Sequence, residues 1–268
     1  MDRLTLAPLS DFDLGALFAG IIAFVAYRAH ALTGGGALAA AFVGTAVYGS
    51  GNLPYAGVLL AFFISSVALS RFGKARKSAL LDAGKHGPRD GAQVLANGGV
   101  AALCAVLGLH GAHGAWSAAF AGAFAAATAD TWGTEIGTLF GGTPRSILTL
   151  RELPVGLSGG ITRIGTLAEL AGALFIALAA AGFAIAPLVP VLAGGITGAL
   201  VDSLLGASVQ TLRWCPQCRR PCETEPHACG ANTSIIRGLQ IISNDVVNFL
   251  ATLAGAVTAY SLFSVGRV

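Results

Sequence analysis

Eight apolar stretches divide the chain, near residues 14–30, 36–49, 53–70, 93–109, 115–132, 165–184, 187–207 and 238–263. Polar residues, glycines and prolines separate them, which is the pattern of helical rods joined by loops. Spanning a ~30 Å hydrocarbon core takes about 20 helical residues, so several stretches are short for a span. The second, Ala37–Tyr48, is the weakest, and a re-entrant or broken segment is its other reading. The pattern predicts an all-α integral membrane bundle of about eight transmembrane helices, forming a single membrane-embedded domain over residues 1–268. A Cys-rich loop, 208–237, is inserted between the last two spans.

Composition removes the soluble alternative. The chain is 54% hydrophobic and 11% charged, with a mean hydropathy of +0.73, whereas a soluble domain carries about 25% charged residues. Ala29-His30-Ala31 fits a small-x-small cleavage pattern, but Asp2, Asp11 and Asp13 outweigh Arg3 before it, the wrong sign for a signal peptide. The first stretch therefore reads as an uncleaved span. With eight spans, one side of the membrane receives Arg28, Arg71, Lys74, Arg76, Lys77, Lys85, Arg89, Arg145, Arg151, Arg163, Arg213, Arg219, Arg220 and Arg237. The other keeps Arg3 and Arg267. That asymmetry predicts that loops 71–92, 133–164 and 208–237 are cytoplasmic and both termini outside, in a membrane expected to be the bacterial inner (plasma) membrane.

Polar residues inside the stretches gather toward the same side. Asp130 closes the fifth and Asp202 lies near the inner end of the seventh. Ser65 and Ser66 end the third, Gln93 and Asn97 open the fourth, and Asn244, Asp245 and Asn248 open the eighth. Intramembrane polar groups face a bundle interior or an aqueous cavity. Helix ends capped by Asp and Asn explain Gln93 or Asn244 taken singly; the one-sided set favours a single inward-facing site. Gly122…Asp130-Thr131 and Gly194…Asp202-Ser203 also share one spacing on helices running the same way, which hints at a parallel repeat.

The chemistry concentrates in three segments. Asp130 and Glu135 are five residues apart, about 140° around a regular helix. One shared Mg²⁺ would need the helix to loosen at Gly133, and a regular helix would leave Asp130 as the ligand. Mg²⁺ takes one or two carboxylates plus substrate phosphates. Downstream come Gly141-Gly142-Thr143-Pro144-Arg145, Arg151, and Leu157-Ser158-Gly159-Gly160-Ile161-Thr162-Arg163. There backbone N–H groups at Ser158, Gly159 and Gly160 would face phosphate, and Arg163 would offset its charge. Loop 71–92 is basic; orientation and anionic lipid explain it, and Lys74 or Lys77 binding a nucleotide or lipid phosphate is the sharper reading. Loop 208–237 holds Cys215-Pro216-Gln217-Cys218, Cys222, His227 and Cys229-Gly230. On a reducing side this predicts a zinc-ribbon-like site rather than disulfides, with Cys215, Cys218, His227 and Cys229 as ligands and Cys222 spare. A closed four-ligand site is structural.

The segments Ala129-Asp130-Thr131-Trp132-Gly133-Thr134-Glu135-Ile136-Gly137, Gly156-Leu157-Ser158-Gly159-Gly160, Asp202-Ser203-Leu204-Leu205-Gly206-Ala207, Asn244-Asp245-Val246-Val247-Asn248 and Gln93-Val94-Leu95-Ala96-Asn97-Gly98-Gly99 together resemble the transmembrane protein 19 family, which includes plant phytyl-phosphate kinase. That family often has Ala-Ser-Glu where this chain has Gly133-Thr134-Glu135. The Asp130-to-Gly160 block is similar, more loosely, to CTP-dependent polyprenol kinases. The resemblance implies transfer of a γ-phosphoryl group from a nucleoside triphosphate such as CTP to an isoprenoid monophosphate (phytyl, farnesyl or geranylgeranyl phosphate). On that reading Asp130 and Glu135 bind Mg²⁺, with Asp202 or Asp245 as second-site candidates. Arg163 stabilises charge, Arg145, Ser158, Gly159 and Gly160 hold phosphates, and Asn97, Asn244 and Asn248 orient acceptor or nucleotide. The expected partners are a lipid monophosphate and a nucleoside triphosphate, with no nucleic acid; zinc is the second metal. A lipid cytidylyltransferase, or a transporter or flippase of a phosphorylated lipid, are the competing readings.

Overall fold

The computed structural model describes residues 9–80 and 87–266. Eight helices carry the described chain: α1 (Asp11–Arg28), α2 (Gly34–Arg71), α3 (Lys74–Leu80), α4 (Gly91–Gly108), α5 (His113–Phe140), α6 (Arg163–Gly182), α7 (Leu188–Ser208) and α8 (Asn244–Val265). Many of the polar residues between apolar stretches are caps. Ser10 and Asp13 close a capping box on α1, Asp90 and Gln93 another on α4, and Thr33, Thr162 and Ser243 accept from the first turns of α2, α6 and α8. Arg3, Lys85 and Arg267 lie outside the described residues.

Helix α2 is two of the expected stretches, back to back. At Asn52 the backbone turns to φ 55°, ψ −150°, out of the helical region. The chain reverses there: Val43 and Gly44 line the same cavity as Leu59 and Phe62. Meanwhile Thr33 and Arg71 both return to the 29–31 and 89 segments. Neither half is re-entrant, since 34–51 and 53–71 each run the depth of the bundle. Five helices, α2, α4, α6, α7 and α8, are long and apolar enough to cross a membrane. Two of the remaining rods fall short for different reasons. Helix α1 carries Asp11, Asp13 and Arg28. Helix α5 is rich in Ala and Gly because it stands at the centre, against α2, α4, α6, α7 and α8. A helix surrounded by helices needs small residues for close approach, not bulky apolar ones facing lipid. Helix α5 also outruns its expected end, staying helical through Gly133 to Phe140, so the loop after it starts at 141.

Phe120 and Phe124 of α5 are fully buried, with Tyr55 stacked on Phe120 and Phe62 beside Phe124. Cys104 belongs to the same core. Helices α5 and α7 run parallel and in register. A Cβ placed on Gly194 would come 3.3 Å from the Gly122 Cα, and one on Gly198 2.2 Å from the Ala126 Cβ. One further turn brings Asp130 beside Asp202. The shared spacing in the sequence is thus a packed ridge.

The bundle has two unlike ends. One is thin, made of the segments around 49–52, 110–114 and 184–187, and holds an open recess of about 1130 Å³. Tyr55, His113 and Ser117 meet there, with Tyr55 Oη and Ser117 Oγ 2.6 Å apart. Among the described residues, neither a carboxylate nor a Lys or Arg side chain lines it. The other end carries the bulk. There β1 (Arg145–Ser146) pairs antiparallel with β2 (Gly160–Ile161), and β3 (Leu212–Cys215) is flanked by β4 (Arg220–Cys222) and β5 (Ser234–Arg237) in an antiparallel sheet.

Candidate functional site

The loop-rich end of the bundle draws carboxylates from three helices. Asp130 of α5 and Asp202 of α7 lie within hydrogen-bonding reach of each other, and Glu169 of α6 bears electrostatically on both. Like charges this close repel unless a proton or a cation lies between them. Asp202 Oδ1 is buried and has no hydrogen-bond partner among the described residues. Glycine makes the approach of α6 possible, because a Cβ on Gly133 would sit 2.4 Å from Glu169 Cγ. Trp132 pins this stretch of α5, stacking on Phe175 with ring centroids 5.3 Å apart and donating to Ser65 Oγ at 3.3 Å.

Glu135 is not part of that cluster's inner face. With α5 regular through Gly133, Glu135 turns away from Asp202 and pairs with Lys77, while Ser70 Oγ donates to it at 2.6 Å. Lys77 is buried, 5% exposed. Its ammonium also donates to the carbonyls of Leu69 at 2.6 Å and Ser70 at 3.4 Å. Three donors meet three acceptors, so Lys77 caps the end of α2 and has nothing left for a phosphate. Lys74 stays exposed on α3. The structure therefore does not bring Asp130 and Glu135 together as one ion's ligands, because their 140° offset is real on a regular helix.

The Gly-rich loop takes an unexpected partner. Ser158 N–H donates to Glu223 Oε1 at 2.7 Å and Ser158 Oγ to Glu223 Oε2 at 3.0 Å. Gln210, only 2% exposed, donates to both Ser158 Oγ (2.8 Å) and Glu223 Oε2 (3.0 Å). Asn244 Oδ1 accepts from Ser158 Oγ at 3.4 Å. Burial pushes the Glu223 carboxyl up from its ordinary value, against the hydrogen bonds from Ser158 and the nearby Arg237 guanidinium. Glu223 in turn bears on Asp202. Gly159 fixes the loop in place: its φ is +77°, and a Cβ there would lie 2.4 Å from the backbone N of Ala207 at the end of α7. Gly160 lies on β2, opposite Ser146. The Ser158 N–H is thus already held by a carboxylate rather than turned to open space.

The other candidate residues do not join this centre. Arg163 is exposed at the start of α6, and Arg145, exposed on β1, pairs with Glu152 at 3.3 Å. Asp245 is half-buried in the first turn of α8 and Asn248 is buried one turn on. Asn97 donates to the Gln93 carbonyl at 2.9 Å and faces a different cavity, between α1, α2 and α4. The inward-facing polar set is therefore split in two.

The Cys-rich loop forms its own centre. Ligand atoms of Cys215, Cys218, His227 and Cys229 all lie within 4.8 Å of one another, with Cys215 Sγ to Cys229 Sγ 3.6 Å and His227 Nδ1 to Cys229 Sγ 3.2 Å. The Cys218 N–H donates to Cys215 Sγ at 3.4 Å, support for a thiolate of the kind that holds a metal. These four residues could hold a metal such as zinc. Cys222 is buried on β4, its thiol toward the Thr224 carbonyl, outside the set.

Two carboxylates of the candidate site went unread in the sequence. Glu169 lies inside the sixth apolar stretch, and an ionisable residue there is itself a signal of function. Glu223 carries no such sign in a polar loop. Only folding sets it against Ser158.

A model of integral membrane protein DUF92 matches residues 17–256. The chain belongs to this family. It is 30% identical to Protein PGR of Arabidopsis thaliana, over 92% of this chain and 94% of that protein. An uncharacterized membrane protein of Methanocaldococcus jannaschii is 28% identical over 97% of each chain. Protein VTE6, chloroplastic, of Arabidopsis thaliana is 28% identical over 85% of this chain and 64% of that protein. No solved structure matches. The family match covers α2 to α7 and most of α1 and α8, so the carboxylate cluster and the Cys/His loop both lie inside it.

Proposed function

We propose that the protein is a Mg²⁺-dependent phosphotransferase. It moves the γ-phosphoryl group of a nucleoside triphosphate, CTP by the polyprenol-kinase resemblance, to an isoprenoid monophosphate at the cytoplasmic face. The observation that carries this reading is the meeting of Asp130, Glu169 and Asp202 at the loop-rich end of an apolar bundle. An all-oxygen donor set with one buried, unpartnered carboxylate oxygen on Asp202 suits a hard divalent cation. Asp130 and Asp202 would hold the ion and Glu169 would orient it or a bound water. When bound, Mg²⁺ neutralises charge on the transferring phosphates. An oxygen of the lipid phosphate forms a bond to the γ-phosphorus, the bond from that phosphorus to the β–γ bridging oxygen breaks, and the nucleoside diphosphate leaves.

The chain's own residues supply positioning. Arg145 and Arg163, exposed on β1 and at the start of α6 at the same loop-rich end, would meet the triphosphate. Ser158, Gln210 and Asn244 form a polar wall beside Asp202, and Glu223 keeps that wall ordered. Zinc in the Cys/His set would stiffen the loop that carries Glu223. The test uses membranes containing the protein, γ-labelled CTP and geranylgeranyl, farnesyl or phytyl phosphate. Label in a lipid diphosphate, lost in Asp130→Asn and Asp202→Asn, is the expected result. Transfer unaffected by both substitutions would refute it. A nucleoside retained on the lipid would identify a cytidylyltransferase instead.

A further inference from the structure

A second cavity carries chemistry that the carboxylate cluster does not. It is a narrow slot of about 110 Å³ between α1, both halves of α2 and α4. Its walls are apolar for most of their length, with Phe18, Ile22, Val43, Leu59 and Phe62 among them. Along α4 it runs from Gln93 to Gly98, about 7.5 Å of helix rise, and Arg89 lines it just before that helix begins. At the loop-rich end the lining changes to Arg89, Gln93 and Asn97. Arg89 is fixed there by its backbone alone: its N–H donates to the Ala31 carbonyl and its own carbonyl accepts from Thr33. Its guanidinium forms no ion pair with a carboxylate among the described residues, although Glu135 bears on it electrostatically. The Gln93 side-chain carbonyl is spent on the capping box, which leaves its NH₂ without a partner among the described residues.

A cation and an amide donor at the mouth of a narrow, mainly apolar slot describe an amphiphile with an anionic head and a single tail. A two-tailed phospholipid does not fit so narrow a space. The mouth lies at the same loop-rich end of the bundle as the carboxylate cluster. Arg89 lies in the field of Glu135, and Glu135 in that of Asp130. Asp130 and Glu135 are five residues apart on α5, about 7.5 Å of rise. Helix α1 covers the slot and packs on α2 alone among the pairings with more than marginal contact, so its exposed Phe18 and Ile22 leave a lateral way in from lipid.

We propose that this slot binds the tail of a single-chain lipid monophosphate, with Arg89 and Gln93 receiving its phosphate. The inference rests on the phosphotransferase reading for its link to Asp130, but the binding itself does not need the reaction.

Equilibrium binding of radiolabelled geranyl, farnesyl and geranylgeranyl monophosphate to the full-length protein in nanodiscs, without nucleotide or divalent metal, tests it. Arg89→Gln should weaken all three by about tenfold, the scale of a charge-assisted hydrogen bond lost, and leave the uncharged alcohols unchanged. Ala56→Phe, filling the slot's far part, should weaken geranylgeranyl phosphate by about tenfold or more and spare the geranyl compound. Ala56→Leu repeats the test with a smaller side chain should Ala56→Phe fail to fold. Binding unchanged in Arg89→Gln and in the folded slot variants, or absent from the wild type, overturns the proposal. If the lipids bind with this pattern but no phosphoryl transfer occurs, the slot stands and the phosphotransferase reading falls. Transfer that proceeds with the same chain-length preference in every variant leaves the phosphotransferase reading standing and overturns the slot.

Discussion

The two candidate metal centres of this protein are built in opposite ways. The Cys/His set draws its ligands from fifteen consecutive positions, Cys215 to Cys229, folded over a small sheet. The carboxylate cluster takes one residue from each of α5, α6 and α7, Asp202 lying 72 positions after Asp130. A local set assembles as soon as its loop closes, whereas the carboxylates meet only when the three helices pack. Glu223 joins the two: it follows the buried Cys222 of β4 and grips Ser158 beside Asp202. Disturbing the loop should therefore reach the cluster, while disturbing the cluster should leave the loop's metal in place.

The sharpest break in that comparison is Asp202→Asn. It should lower phosphoryl transfer by about a hundredfold or more, the scale for losing one electrostatic stabiliser of a transition state. Metal analysis of the same variant should still find the loop's zinc. Loss of that zinc would show that the centres are not separable. Next comes Lys77→Met, which strands Glu135 in a part-buried site. Breaking one side of a buried pair costs about 3–5 kcal/mol, so the thermal midpoint should drop markedly and recover in part when Glu135→Leu is added. An undiminished midpoint with lost activity would return Lys77 and Glu135 to the substrate site.

A smaller effect is expected from Cys215→Ser. Bound zinc should fall from one per chain to none, and transfer by about tenfold rather than a hundredfold, since the loop positions Glu223 without touching substrate. Cys222→Ser should keep the metal. The smallest effect concerns pH. Burial raises the Glu223 carboxyl above its ordinary 4.5, so the folded state holds that proton more tightly than the unfolded chain. Its contribution is full below the unfolded value and is lost as pH rises through the folded one. Glu223→Gln should flatten that decline in thermal midpoint as pH rises above the ordinary 4.5. A slope identical to the wild type would show that Glu223 does not titrate in this range.

Much of the architecture could be read from the chain. The eight apolar stretches correspond to rods, including the weak 36–49 segment, because lipid and packing both reward continuous apolar runs. The Cys/His cluster could be read because Cys-x-x-Cys and His-x-Cys keep their side chains close along one short segment. The matched Gly122/Asp130 and Gly194/Asp202 spacing also carried information, since parallel helices in register place equal positions side by side. Other features were out of reach. The sequence treats Lys77 as one more basic residue, and only the fold shows its ammonium saturated by Leu69, Ser70 and Glu135. Ser158 looks like an anion cradle until Glu223 is found in it. Glu169 needs the α5–α6 crossing at Gly133 before it becomes a partner of Asp130.

By itself the sequence determined that this is a membrane-embedded helical bundle with a Cys/His cluster in a loop that could hold a metal. Those properties follow from hydropathy and from spacing along one segment, and both act within a few turns of chain. Which carboxylates meet, which cation is spent on structure and where an anionic head could lie were decided by tertiary packing. Each depends on the approach of helices distant in sequence, permitted residue by residue by glycines such as Gly133 and Gly194. No local pattern encodes which side chain will stand across that gap.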